Sequence, residues 1–430
     1  MPDGDMPKIP SWLPTPDHTP AYLRTTSEML DAMRALQERF PKLVELVDIG
    51  DSALKVAGQG GNDIWMLRLT NRSANQNKKP VVLHTGGVHA REIANPELLL
   101  RWGTKLLEGY GTDAQATAML DTRVIDLVPL VNPDGHDIVT DGFAHGADAR
   151  IWQRKNARPA GGVDLNRNFR WNWNGFGTSR DDDSDVYRGP SAASEPETQA
   201  VQTVMEKARP NLYLDWHSFS GLNLYPWGDT FGKAPDHLPL KAIADRFSTM
   251  NGYVAQQSID LYPTSGTSTD HAYGVHRIPA FGIETGDYFH PLEPEFAKIT
   301  ADNEPVLDYT ARIADAPYER VFGPDATDVQ ITADGTITAQ ASDTAAGGQA
   351  IRAAEWTTNP LSLPGSGVPL AAADGALDGV TELLRGTFDP AQAKPRPGQG
   401  APKLVYVRAQ DAEGHWGPAT PQWITAPATR

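Results

Sequence analysis

The run "PVVLHTGGVHAREIANPELLLRW", Pro80 to Trp102, decides how the longer part of this chain folds. Its first half is apolar and β-branched, as in a buried strand. Its second half carries Pro96, tolerated in a first helical turn, and continues as a helix. Between them lies a Gly-flanked turn holding His89 and Glu92. A strand feeding a helix through such a turn is the unit of an open α/β sheet, where ligands bind beyond the carboxyl ends of the strands.

Outward from this unit the alternation continues. "SEMLDAMRALQERFPKLVELVDIG" reads as a helix, with Ser27 as its cap and Met29, Leu30, Met33, Leu36 and Phe40 at helical spacing. "IWMLRLTN" reads as a strand, and "RVIDLVPLVNPDG" as a buried strand ending in a turn. "SEPETQAVQTVMEKA" opens with Ser194 and Glu197, a capping-box pattern, and is a further helix. "NLYLDWHS" and "IPAFGIET" are strands; "LKAIADRFSTMNGY" and "EPEFAKITADNEPVLDYTARIA" are helices. The expected fold class is α/β, with a mixed, mostly parallel sheet flanked by helices.

After "DAPYER" the texture changes to short alternating segments split by Gly, Pro, Asp and Asn, such as "TDVQITADGTITAQASD" and "KLVYVRAQDAEGHWGP". This predicts a C-terminal all-β sandwich, in which only "DGVTELL" keeps a short helical pattern. The expected divisions are an extended arm over 1–21, an α/β domain over 22–316 and the sandwich over 317–430. A chain of 430 residues is long enough for two domains.

The net charge of −16 disfavours nucleic acid and anionic membrane surfaces, which need clustered Lys and Arg. No apolar run approaches the roughly 20 residues of a membrane helix, so membrane insertion is not expected. With no cysteine, a metal site must use His and carboxylate. The N-terminus lacks the basic and apolar regions of a signal peptide. A mature secreted or periplasmic form, or else a cytoplasmic chain, fits that start.

His89 and Glu92 are three residues apart, so on a helix they would share one face and could reach one ion. The spacing alone is weak, because "HPLE", His290 to Glu293, repeats it between prolines in a loop-like stretch. His217 adds a second strand-end histidine, in "NLYLDWHSFSG". A strand-end Glu284 in the apolar run "FGIETG" is costly to bury without a partner or a task. The acidic "SRDDDSDVY" reads as a solvated loop; calcium is the other reading, without EF-hand spacing. No His-Glu-x-x-His and no Gly-x-Ser-x-Gly elbow is present.

The ordered set "HARE", "NPDG", "WQRKNAR", "VDLNRNF", "WHSFSGLNLYPWG", "LYPTSG" and "FGIETG" resembles the zinc carboxypeptidases of the carboxypeptidase A/B type over most of residues 22–316. The resemblance implies a mixed, mostly eight-stranded sheet between helices and one zinc ion per chain, held by His89, Glu92 and His217. Such a site keeps a position for water, whose pKa zinc lowers, and polarises a substrate carbonyl. The resemblance assigns Glu284 as general base, Asp164 as the carboxylate orienting His89, and Arg154 as the oxyanion-stabilising arginine, with Arg150 and Arg158 as alternatives in register. Asn166, Arg167 and Tyr262 fall where the family grips the substrate's C-terminal carboxylate, for which a guanidinium fork is suited. Arg91 falls at an outer substrate site and Thr269 at the base of the side-chain pocket. A threonine there implies no strong charge preference; a shift to Asp270 would imply a basic one.

The resemblance thus implies a zinc metallocarboxypeptidase acting on peptides or proteins with a free C-terminal carboxylate. Two alternatives stay open on sequence: a zinc amidohydrolase acting on cell-wall or γ-linked peptides, and an inactive binding protein of the same fold. Loss of Glu284 or of a zinc ligand would mark the last, and all are present. No segment of inhibitory pro-domain size precedes the α/β domain, which fits a mature form. The β-sandwich lies outside the resemblance; glycan or cell-wall contact through exposed Trp is one expectation, with Trp356, Trp416 and Trp423 as core residues the other.

Overall fold

Eight strands build the central sheet: β1 (Val44–Asp51), β2 (Asp63–Leu69), β3 (Val81–Gly86), β4 (Val124–Val128), β5 (Leu212–His217), β6 (Leu222–Tyr225), β7 (Val254–Gln257) and β8 (Ala280–Glu284). Their order is β1-β2-β4-β3-β5-β8-β6-β7. The neighbours β4–β3, β3–β5, β5–β8 and β6–β7 are parallel; β1–β2, β2–β4 and β6–β8 are antiparallel. This is the mixed, mostly parallel sheet expected. The computed structural model describes residues 19–74, 79–332, 334–388 and 404–424. Most of the expected arm over 1–21 therefore lies outside the described residues.

Strands β3 and β5 are buried at every position, which is why both read as continuous apolar runs rather than alternating ones. Helix Ala94–Gly109 packs beside β3 and β4, and helix Ser268–His276 beside β5 and β8. Among the described residues, no helix is long and apolar enough to cross a membrane.

Three local expectations need correction. The first helix spans Thr26–Arg39 and is capped by Thr25 with Glu28 in a reciprocal box, not by Ser27. It stops before Pro41, and "VELVDIGD" forms β1 instead, since proline restricts the residue before it and lacks the helical N–H. What reads as a closing turn after β4 is the start of a new element: the Asn132 side chain accepts from the Gly135 N–H at 3.0 Å and caps helix Pro133–His145. Ser194 and Glu197 form no capping box. Glu197 is buried, and its carboxylate accepts from the Ala53 N–H at 2.9 Å, far away in sequence.

The C-terminal strands are β9 (Asp325–Ile331), β10 (Thr336–Ser342), β11 (Ile351–Thr357), β12 (Val368–Pro369), β13 (Ala371–Ala372), β14 (Thr381–Thr387), β15 (Leu404–Asp411) and β16 (Thr420–Trp423). They form two antiparallel four-stranded sheets, β13-β14-β10-β9 and β12-β11-β15-β16. The short helix expected at "DGVTELL" is strand β14: Leu384 points into the core while Leu383 is exposed, a period of two. Trp356 lies in that core. Trp423 is partly buried and donates from Nε1 to the Thr112 carbonyl of the α/β unit at 2.9 Å. Arg320 donates to the Trp416 carbonyl at 3.2 Å. These placements give no support to glycan contact through the tryptophans.

Candidate metal and active site

The carboxyl ends of β3, β5 and β8 lie side by side, and the candidate residues gather there. After β3 the chain turns at Gly87, where φ is +61° and an added Cβ would meet the Pro129 carbonyl oxygen at 3.1 Å. Only glycine suits that turn. His89 and Glu92 follow in a tight turn closed by the Glu92 N–H donating to the His89 carbonyl at 3.1 Å. The helix begins later, at Ala94. The pair therefore does not share a helical face; the turn itself folds the two side chains together.

His89 Nδ1 lies 2.7 Å from Glu92 Oε1, and His217 Nδ1 lies 3.1 Å from Glu92 Oε2 and 3.3 Å from His89 Nδ1. All three residues are buried, and their nearest ligand atoms fall within 4.8 Å of one another. Two imidazole nitrogens and one carboxylate converging on one point are the donor set of a catalytic zinc site. The other side of each ring meets a carboxylate: His89 Nε2 is 3.2 Å from Asp164 Oδ1, and His217 Nε2 is 3.0 Å from Asp215 Oδ2. That pattern orients Nδ1 inward on both rings.

The electrostatics favour a cation at this point. Burial pushes the Glu92 carboxyl up, but His89 and His217 outweigh it and hold the group below its ordinary range. Burial likewise raises Asp164, while Arg154 and Arg167 more than offset it and leave it well below the carboxylate range. Burial pushes Glu284 up to about 7, opposed by His217 and reinforced by Glu92. Burial disfavours charge on His217, yet Asp215 and Glu92 raise it well above the usual histidine range. Glu92 and His217 thus compete strongly for positive charge, whether proton or metal.

Asp164 caps the single turn Leu165–Arg167, accepting from the Asn166 N–H at 2.9 Å. Its Oδ2 accepts from Arg154 Nε and Nη2 at 3.0 and 2.8 Å. Arg150 instead faces Asp141 at 2.6 Å, and Arg158 faces Glu195 at 3.0 Å. Only Arg154 of the three is brought to the metal-site carboxylates. Asn166 Oδ1 accepts from the Ser268 N–H at 2.9 Å. Arg167 is fixed by the Gly177 and Asn166 carbonyls, both at 2.8 Å, and its Cζ lies 5.9 Å from the ring of Tyr262. Tyr262 is 47% exposed.

Arg91 is buried, with its guanidinium 4.3 Å from the Phe289 ring and 3.8 Å from Asp185. Thr269 is buried in the first turn of helix Ser268–His276. Asp270 turns away to accept from the Gly228 N–H at 3.0 Å; burial and the nearby Asp229 raise its carboxyl to about 8. His290 of "HPLE" packs against Trp152 and Phe143, with ring centroids at 4.6 and 5.2 Å, and holds no part of the cluster. Asp181, Asp182 and Asp183 are all exposed.

One residue of the constellation escapes the motifs: Asp215, two before His217 on the same strand face. The signal was a lone carboxylate in the otherwise apolar run "LYLDWH".

Residues 29–304 match the family described as zinc carboxypeptidase. The chain is 31% identical over 305 residues to a zinc carboxypeptidase of Saccharothrix mutabilis subsp. capreolus, covering 66% of this chain and 67% of that one. It is 30% identical over 276 residues to carboxypeptidase A4 of Mus musculus, covering 61% and 62% respectively. It thus spans about two thirds or less of these relatives' lengths. Among solved structures, carboxypeptidase A from Helicoverpa armigera is 25% identical with a TM-score of 0.58, covering 68% of this chain and 74% of that one. With the match running from the first helix into the last helix of the α/β unit, and His89, Glu92 and His217 converging inside it, the chain belongs to the zinc carboxypeptidase family, which uses one zinc ion.

Proposed function

We propose that the chain is a zinc-dependent exopeptidase that hydrolyses the C-terminal peptide bond of peptides or proteins. The observation that carries the reading is the convergence of His89 Nδ1, His217 Nδ1 and the Glu92 carboxylate beside Glu284, the last residue of the adjacent strand β8. In this proposal residues 22–316 are the catalytic unit and residues 317–430 an accessory β-sandwich.

His89, Glu92 and His217 would hold the zinc ion, which when bound would supply Lewis acidity to a substrate carbonyl. Glu284 takes a proton from the attacking water and delivers it to the leaving amine, a role suited to a carboxyl raised toward neutrality. Arg154, kept cationic by Asp164, faces the negative charge that develops on the carbonyl oxygen. Asn166 and Arg167 hold the substrate's C-terminal carboxylate, and Tyr262 closes over it from its exposed position. Arg91 borders the outer part of the site. Thr269 contributes a neutral wall to the side-chain pocket, which favours broad or uncharged preference.

The test is a panel of N-blocked dipeptides with varied C-terminal residues, each as free acid and as amide. The expected result is cleavage of the free acids alone, abolished by chelation and restored by zinc. Equal cleavage of the amides, or activity untouched by chelation, would overturn the proposal.

A further inference from the structure

Two histidines face the metal point through Nδ1, and each has a carboxylate behind it, but the two carboxylates are not equivalent. Asp164 is shared: besides His89 it takes two hydrogen bonds from Arg154 and lies 3.9 Å from Arg167. Asp215 is completely buried, and among the described residues no Lys or Arg lies within ion-pair distance of it. Its Oδ1 accepts from Thr85 Oγ1 at 2.7 Å, its Oδ2 accepts from Ser268 Oγ, and among the described residues its one cationic or N–H partner is the His217 ring.

A carboxylate in that position is costly to bury unless its charge is compensated. Two hydroxyls supply dipoles, not charge. The compensation must come through His217, from whatever binds at its Nδ1. We propose that Asp215 is the positioning residue of the second zinc-ligand histidine, and that it, more than Asp164, sets how tightly the chain holds its metal. The inference rests on the zinc carboxypeptidase reading of the site.

The geometry supports a specific tautomer. With Nδ1 given to the metal, a neutral imidazole carries its proton on Nε2, which then donates to Asp215 Oδ2 at 3.0 Å. Asn166 Nδ2 also approaches Nε2, at 3.3 Å, but it is itself a donor, because its Oδ1 is committed to the Ser268 N–H. It cannot compete for that proton. Asp215 is held in turn from three places: its own strand, Thr85 on β3 and Ser268 at the helix start. Tyr213 extends this support, its hydroxyl 2.8 Å from Thr85 Oγ1. The ring plane of His217 is therefore fixed by three separate elements.

The test compares Asp215→Ala, Asp215→Asn and Asp164→Asn in the full chain, with zinc affinity read by competition against a chromogenic chelator. The cobalt-substituted proteins give a second readout, the visible ligand-field spectrum. Asp215→Ala is expected to weaken zinc by about 10- to 100-fold and to shift the cobalt bands. Asp215→Asn, which keeps an acceptor without the charge, should fall between, and Asp164→Asn should lose less. If Asp215→Ala does not fold, the isosteric Asp215→Asn carries the comparison. Unchanged zinc affinity and cobalt spectrum in the Asp215 variants would overturn the inference. So would a new preference for or against Lys and Arg substrates with metal binding intact, which would move Asp215 to the pocket beside Ser268 and Thr269. Failure of the wild-type chain, or equal binding by His217→Ala, would instead sink the zinc-site reading itself.

Discussion

His217 and Glu284 stand opposite each other in register, each the last residue of its strand, on the neighbouring parallel strands β5 and β8. The sheet thus brings a metal-donor ring and the proposed base to one edge without any loop having to be ordered. Replacing Glu284 by Gln should lower kcat by about 10²- to 10⁴-fold while zinc affinity stays unchanged. The base works as a carboxylate, so kcat/KM should rise with pH along an acid limb. Burial raises that carboxyl to about 7, and a dication bound nearby would lower it. The limb is therefore expected below about pH 7 and should vanish in Glu284→Gln; a pH profile of both proteins checks it.

Removal of zinc should abolish turnover and lower the melting temperature. The donors converge only in the folded chain, so metal binding adds to stability by mass action, about 2.7 kcal/mol at a hundred times the dissociation constant. A thermal unfolding series in increasing zinc, with His89→Ala as the control that should not respond, measures this.

Arg167 has its Nε and Nη1 tied to backbone carbonyls, which sets the guanidinium plane. Arg167→Ala should cost on the order of 1.5–3 kcal/mol in transition-state binding, about 10- to 100-fold in kcat/KM, for free-acid peptides. Tyr262→Phe should change kcat/KM only a few-fold by comparison, since Tyr262 is exposed. Steady-state kinetics on one blocked dipeptide separates the two.

Arg154 should act in the transition state more than in the bound ground state. Arg154→Ala is expected to lower kcat by about 10²- to 10³-fold with little change in KM. Because the same guanidinium pairs with Asp164 at 2.8 Å, Arg154→Ala and Asp164→Asn should be non-additive. A double-mutant cycle on kcat and on unfolding free energy tests the coupling.

Asp270 makes stability depend on pH. Burial, with Asp229 beside it, raises its carboxyl to about 8, so the fold favours the protonated form. Between the unfolded value near 4 and about 8 the folded chain binds the extra proton. Stability from this group is full below about pH 4 and is lost as pH rises through 8, on the order of several kcal/mol. Denaturation between pH 5 and 9 should show a smaller loss in Asp270→Asn than in the wild-type chain.

The sequence by itself determined the elements that are local. The strand-to-helix unit around "LHTGGVHARE" was legible because Gly87, the buried run before it and Pro96 after it act within a few residues. The family was legible because its motifs occur in order, and the sandwich because its strands alternate. Local patterns also misled where a distant partner won. Glu197 left its expected cap for the Ala53 N–H, and "DGVTELL" became a strand because β10 lay beside it to pair with.

Only the tertiary structure decided which of three arginines meets Asp164, and that Asp215 stands behind His217. It also showed that His89 and Glu92 are joined by a turn rather than by a helix face. Spacing along the chain fixes which residues can be neighbours within an element. Which buried carboxylate a histidine faces depends on strand register and on hydroxyls supplied by Thr85 and Ser268, from elements far apart in sequence.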